Sequence, residues 1–208
     1  HGDDSGLILP PRVAPVQAII VPISMGNWKE TVLPAAQKAL EDLKQAGVRA
    51  EIDIREEFTP GWKFSEHEMR GVPLRIEIGP RDVKAGQAVL VRRDARAKEA
   101  CALESLPARV PALLADIQAS LFRNAGEFLA ANTRDAADYV EFKDILENKR
   151  GFVRSPWCGG DACEVQIKQE TMATIRVIPL DQDESKVGGK CIACGAPAKA
   201  IAYFARAY

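Results

Sequence analysis

The chain has 208 residues, 47% apolar and 27% charged, with a formal net charge of −1. This composition supports one or two globular domains with a full core, and the near-neutral balance argues against a protein that coats nucleic acid irrespective of sequence. No apolar run reaches the roughly 18 residues of a membrane span. The opening HGDDSG is polar and acidic, has no secretory leader pattern and no initiator Met, and reads as a piece of a longer, cytoplasmic chain.

GLILPPRVAPVQ carries Pro10, Pro11 and Pro15, too many for a helix or central strand, so residues 1–14 are expected to be a linker. VQAIIVPI (16–23) is a short, β-rich apolar run and predicts a buried strand. Val32, Leu33, Ala36, Leu40 and Leu43 recur at helical spacing, predicting one helix over 28–45 that Gly47 stops. VRAEIDI alternates like a strand. KFSEHEMRGVP predicts a short helix capped by Ser65, with Glu68 as its capping-box partner.

PLRIEIG alternates, with Leu74, Ile76 and Ile78 on one face and Arg75 and Glu77 on the other. GPRDVKAG has turn composition, and QAVLVRRD predicts a strand that pairs with the preceding one as a hairpin. A long helix follows over 106–132, its stripe Leu113, Leu114, Ile117 and Leu121, with Pro111 expected in its first turn. Residues 15–131 are therefore expected to form one α/β domain with a mixed sheet. In 132–208, a small α+β unit, DAADYVEFKDILEN predicts a helix with Tyr139, Phe142 and Leu146 on one face, and EVQIKQETMATIRVIPL alternates well enough for one or two strands.

The small unit holds four of the five cysteines: Cys158 and Cys163, then Cys191 and Cys194, with 27 residues between the pairs. Two short loops that each present two thiolates suit tetrahedral zinc, and glycines at 159, 160, 189 and 195 let the backbone bend around a metal. Competing readings are two disulfides, a Cys191–Cys194 redox pair and unliganded core thiols. Nothing suggests secretion and the βαβ context of a redox motif is missing, so the spacing favours a closed structural zinc site. Cys101 is left over as a simple buried or helix-adjacent thiol.

HGDDSGLILPPRVAPVQAIIVPI resembles the end of the class II catalytic domain of prolyl-tRNA synthetases running into their anticodon-binding domain. CEVQIKQETMATIRVIPL, GKCIACGAPAKAIAYFARAY and the four cysteines are similar to the C-terminal zinc-binding domain of the archaeal- and eukaryote-like form of that family. The resemblance is colinear over essentially the whole chain. It implies a class II anticodon-binding domain, a mixed sheet flanked by helices, then a zinc domain that packs back on the catalytic domain, and a full enzyme that activates proline with ATP and transfers it to tRNA. ATP and magnesium would belong to a catalytic core outside this chain, which alone should be inactive. The full enzyme would be a homodimer, and the partner of this part would be the anticodon loop of proline tRNA. A non-catalytic paralogue that uses the same modules as an RNA- or protein-binding adaptor is the alternative.

Sequence-specific RNA readers hold unstacked loop bases on aromatic or Arg planes and hydrogen-bond their edges. KFSEHEMRGVPLRIEIGPRD offers Phe64 for stacking, Glu68 as an acceptor, and Arg75, Arg81 and Asp82 near one end of the sheet. From Glu68 to Lys98 there are eight basic residues against four acidic ones. By resemblance, Phe64, Glu68, Arg75, Arg81 and Asp82 match positions that read the anticodon, and Arg96 and Lys98 are expected phosphate contacts. Proline anticodons share two guanines; Arg suits the acceptor edge of guanine and a carboxylate its donor edge. The competing readings are a capping role for Glu68, a solvated strand face for Arg75 and Glu77, and a solvated charge run for Arg92, Arg93 and Arg96. His67 is expected on the helix surface. The resemblance also implies that the carboxylate of Tyr208 is directed toward the catalytic site.

Overall fold

The computed structural model describes residues 1–182 and 187–206, which form two compact units, 1–124 and 125–208. The expected terminal role of Tyr208 lies outside the described residues. Among those residues, no helix is long and apolar enough to cross a membrane.

The first unit opens with a small antiparallel hairpin, β1 (Gly2–Asp3) and β2 (Gly6–Leu7), within the segment whose composition suggested a linker. β3 (Ala18–Pro22) is buried at every residue. The single helix expected over 28–45 is two: α1 (Trp28–Thr31) and α2 (Leu33–Gln45), broken at Val32 because Pro34 starts a new first turn. α2 ends as a Schellman motif: Gly47, at φ +79, donates to Lys44 and Val48 donates to Leu43.

β4 (Ala50–Ile52) leads to α3 (Pro60–Met69). The cap of α3 is Thr59, whose hydroxyl accepts from the Trp62 N–H at 3.3 Å. Ser65 instead sits mid-helix and donates back to the Gly61 carbonyl, so neither Ser65 nor Glu68 forms the expected capping box. The Pro60 at N1 explains the earlier start. β5 (Leu74–Ile78) alternates as the sequence predicts. GPRDVKAG is a helix rather than a turn, α4 (Pro80–Lys84), with Pro80 at its start and Asp82 accepting from the Gly79 N–H. β6 (Gln87–Arg92) and β7 (Lys98–Ala102) complete the sheet; β7 is a strand that the alanine-rich KEACA did not announce. α5 (Leu106–Ala131) begins with Pro107 in its first turn and carries Pro111 inside the helix, a correction to the expected place of Pro111.

The sheet runs β4-β3-β5-β6-β7, parallel across β4, β3 and β5 and antiparallel beyond. The crossovers β3-to-β4 and β4-to-β5 step in opposite directions, so right-handed connections put α2 and α3 on opposite faces. Leu74, Ile76, Ile78 and Leu90 fill the α2 and α5 face with Leu43, Leu113 and Ile117. Each fully buried Leu or Ile contributes on the order of 2 kcal/mol before chain entropy is counted. On the other face α3 covers β3 and leaves Arg75 and Glu77 only half-buried.

In the second unit β8 (Thr133–Asp135), α6 (Tyr139–Asp144), a π-turn over Ile145–Lys149, β9 (Phe152–Trp157), α7 (Asp161–Thr171), β10 (Ala173–Val177) and β11 (Ala200–Arg206) follow in order. The sheet order is β10-β11-β9-β8. EVQIKQETMATIRVIPL is helix then strand, not one or two strands: Cys163, Ile167 and Thr171, four residues apart, are the buried face of α7. The core is Phe142, Ile145, Leu146, Val153, Ile167 and Phe204, with the Phe142 ring edge-on to Phe204 at 5.2 Å.

Candidate nucleic-acid interface and metal centre

α3 is anchored before it presents anything. Its inner face carries Lys63, 1% exposed, and His67, 8% exposed. Asp53, at the end of β4, receives His67 Nε2 at 2.9 Å and two bonds from Arg55 at 3.0 and 2.7 Å. Lys63 Nζ donates to the Asp53 carbonyl at 3.1 Å, and Arg55 also pairs with Glu66. Burial pushes the Asp53 carboxyl up, but the hydrogen bonds from Arg55 and His67 outweigh it and hold the group well below the usual carboxylate range. His67 is thus not the expected surface residue. Asp53, Glu66 and His67 lie close enough together to suggest a metal, but Arg55 and Lys63 already supply the positive charge. The i, i+4 spacing of Lys63 and His67 was the available signal for this buried polar stripe.

The sheet-facing flank of α3 and the open half of the sheet enclose a cleft of about 190 Å³ lined by Glu68, Arg75, Arg92, Arg93, Arg96 and Lys98 with Ile19, His67, Val72 and Val91. The Arg75 guanidinium lies over the Phe64 ring, 4.2 Å from its centroid. Glu77 accepts from Arg75 Nε at 3.0 Å and has Lys98 Nζ at 3.9 Å. Arg96 Nε is 3.5 Å from Glu68. Of the seven residues expected to meet RNA, Glu68, Arg75, Arg96 and Lys98 line this cleft, and Phe64 adjoins it through its stack on Arg75.

Arg81 and Asp82 do not line this cleft. They lie on α4, past the far end of β5, on the order of 15 Å along the strand direction from Arg75 at about 3.3 Å per residue. Arg81 is exposed. Asp82 already accepts from the Gly79 N–H at 2.8 Å, with one carboxylate oxygen engaged. Nor is Arg92–Arg93–Arg96 a solvated charge run. Arg92 is held by Asp94 and Asp116, and Arg93, with 3% of its side chain exposed, is held by Asp3. Arg96 and Lys98 remain largely exposed, near 60%.

In the second unit the cluster forms where β9 ends, α7 begins and a tight turn closes. Cys158 follows β9, Cys163 lies in the first turn of α7, and Cys191 and Cys194 flank a turn closed by the Gly195 N–H to the Cys191 carbonyl at 2.9 Å. Gly195 holds φ +73, a conformation that β-branched or bulky residues resist. The four Sγ atoms lie within 4.8 Å of one another, with Cys158 to Cys163 at 3.6 Å and Cys158 to Cys194 at 3.8 Å. A tetrahedral zinc with bonds near 2.3 Å separates its sulfurs by about 3.8 Å, so the four residues fit the metal.

All five cysteines are free thiols, and the sulfur separations are far beyond the roughly 2.05 Å of a disulfide. Burial raises the Cys163 thiol. Burial also acts on Cys191, but the backbone N–H groups of Cys194 and Ala193 outweigh it and bring the thiol down to about 7. Cys101 lies apart, buried in β7, and burial pushes its thiol up.

Two family comparisons match the two units. Residues 17–113 match the family described as Anticodon binding domain, and residues 139–208 match Prolyl-tRNA synthetase, C-terminal. The chain is 50% identical over 208 residues to a proline–tRNA ligase of Rubrobacter xylanophilus, covering all of this chain and 43% of that protein. It is 47% identical over 208 residues to a proline–tRNA ligase of Lachnospira eligens, covering 42% of it, and 43% identical to a proline–tRNA ligase 2 of Bacillus cereus, again 42% of its length. The chain thus spans less than half the length of the relatives it matches. It is an anticodon-binding domain followed by a small four-cysteine domain, and over its full length it corresponds to the C-terminal region of the prolyl-tRNA synthetases.

Proposed function

We propose that this chain is the tRNA-reading and structural part of a proline–tRNA ligase. The observation that carries the reading is the cleft lined by Glu68, Arg75, Arg96 and Lys98, with Phe64 stacked against Arg75 beside it, within a unit that matches an anticodon-binding family. An unstacked base would lie against the Phe64–Arg75 pair. The acceptor edge of guanine suits Arg75, and its N1 and N2 donors suit Glu68. Arg96 and Lys98, exposed at the rim, would neutralise phosphates. Arg81 and Asp82, remote from this cleft, would meet a neighbouring nucleotide past the end of β5.

The functional division is 1–14 as the lead-in, 15–131 as the anticodon-binding domain and 132–208 as the C-terminal domain. Cys158, Cys163, Cys191 and Cys194 would hold a zinc ion that supplies no chemistry beyond cross-linking three segments of the C-terminal domain. The parent enzyme would be cytoplasmic and homodimeric, would use ATP and magnesium in a catalytic core that this domain contacts, and would place the Tyr208 carboxylate toward that core. The four-thiol domain is what supports the archaeal- and eukaryote-like type; the relatives named above are bacterial.

Nuclease footprinting of proline tRNA with the 208-residue chain tests this. Protection confined to the anticodon loop is the expected result. Protection of the acceptor stem alone, with an untouched anticodon loop, contradicts it.

A further inference from the structure

The hairpin β1–β2 is seated on the cleft rather than trailing from it. Its Gly6 approaches the C-terminal end of α3 so closely that a Cβ would lie 2.4 Å from Met69 backbone atoms, and a Cβ on Gly71 would lie 2.7 Å from Leu7. Arg93 joins three elements. Its two terminal nitrogens donate to the Asp3 carboxylate at 2.6 and 2.9 Å, one of them also reaches the Gly6 carbonyl at 3.2 Å, and Nε donates to the Glu68 carbonyl at 3.0 Å. Asp3 sits about ninety residues away in sequence from the arginines it holds.

The same carboxylate reaches Arg96. One Arg96 nitrogen donates to Asp3 at 3.2 Å and to the Ser5 hydroxyl at 2.8 Å, while Arg96 Nε stands 3.5 Å from Glu68. Arg96 is held at the β6–β7 turn with φ +54. It is therefore shared between two acids, one on the hairpin and one on α3, and the closer hydrogen bonds are on the hairpin side.

We infer that Asp3, with Ser5, is a specificity-determining positioning element of the RNA cleft: it draws Arg96 toward the hairpin, holds its contact with Glu68 to a loose 3.5 Å and so keeps the Glu68 carboxylate able to accept from a base. This inference rests on the RNA reading proposed above and names a residue that would touch no RNA itself. Without the hairpin acceptors, Arg96 would close fully on Glu68 and occupy the acceptor that a guanine donor edge requires.

The test compares binding of proline tRNA and an anticodon-substituted tRNA to the 208-residue chain and its variants, with thermal melting to confirm folding. Asp3→Asn is expected to weaken cognate binding roughly tenfold and to lower selectivity, and Ser5→Ala to shift both in the same direction by less. Arg96→Ala added to Asp3→Asn is expected to restore selectivity, because the competitor for Glu68 is gone. Loss of packing alone would not be rescued by a second deletion. Should Asp3→Asn melt, Ser5→Ala with and without Arg96→Ala carries the same comparison. Unchanged selectivity in the folded variants, or no recovery on adding Arg96→Ala, overturns the inference. A parent chain that does not discriminate between the two RNAs overturns the RNA reading as well, which is a separate and earlier result.

Discussion

The Arg75 guanidinium lies 4.2 Å from the centroid of the Phe64 ring, so a strand residue and a helix residue form one stacked pair. Glu77, accepting from Arg75 Nε at 3.0 Å, fixes the plane of the guanidinium on that ring. The pair explains why α3 has to be anchored firmly on β3 and β4: a small rotation of the helix would separate ring and guanidinium.

Replacing Arg75 with Ala is expected to cost about 1–3 kcal/mol of RNA binding and to relax guanine discrimination. Arg75→Lys should recover little, since an ammonium lacks the planar fork. Titration of the two variants against proline tRNA and anticodon-substituted RNA checks this; equal losses on both RNAs would assign Arg75 to general electrostatics.

Lys98 behaves differently. Its ammonium is largely exposed and only 3.9 Å from Glu77, as suits a phosphate contact. Lys98→Ala should weaken all RNAs alike and lower the slope of log affinity against log salt by about one. A salt titration measures this, and a sequence-dependent loss would contradict it.

The buried Asp53 group should contribute to the acid sensitivity of the first unit. Its folded-state pKa is depressed, so its contribution is present above the ordinary carboxylate value near 4 and is lost as pH falls below it. Asp53→Asn should flatten that part of the stability–pH profile. Removing the acid partner of the buried Lys63 and His67 should also cost about 3–5 kcal/mol at neutral pH. Denaturant melts between pH 7 and pH 3 test both statements.

Metal removal is expected to unfold the second unit while leaving the first. Apparent structural zinc affinity is on the order of 10 kcal/mol, more than a domain of this size can replace. Cys191→Ser should lose stoichiometric zinc and the second melting transition. Metal analysis with calorimetry checks it, and a fully folded second unit in the metal-free protein would contradict it.

The parts of the fold legible in the sequence were those whose pattern is set by burial on one face. The alternation of Leu74, Ile76 and Ile78 gave β5, and the stripe from Leu113 to Leu121 gave α5. The segment at 164–171 misled because Val165 and Ile167 look alternating, whereas Val165 is exposed and the true face runs Cys163, Ile167, Thr171. β7 escaped notice because Lys-Glu-Ala-Cys-Ala offers one buried side chain, Cys101, at an edge strand. The four-cysteine cluster was legible because two close pairs of thiols at that spacing point to one another. The support behind the basic cleft was not: Asp3 with Arg93, and Asp53 with His67, are pairings that only the folded chain makes.

The central claim, that the first unit reads an anticodon, is tested most directly by one ratio: the affinity of the chain for proline tRNA over that for the same tRNA with both shared anticodon guanines replaced. Guanine reading by Arg75 and Glu68 predicts a ratio of at least tenfold, each mismatched contact costing about 1–3 kcal/mol. A ratio of one, with the salt dependence unchanged, would contradict it.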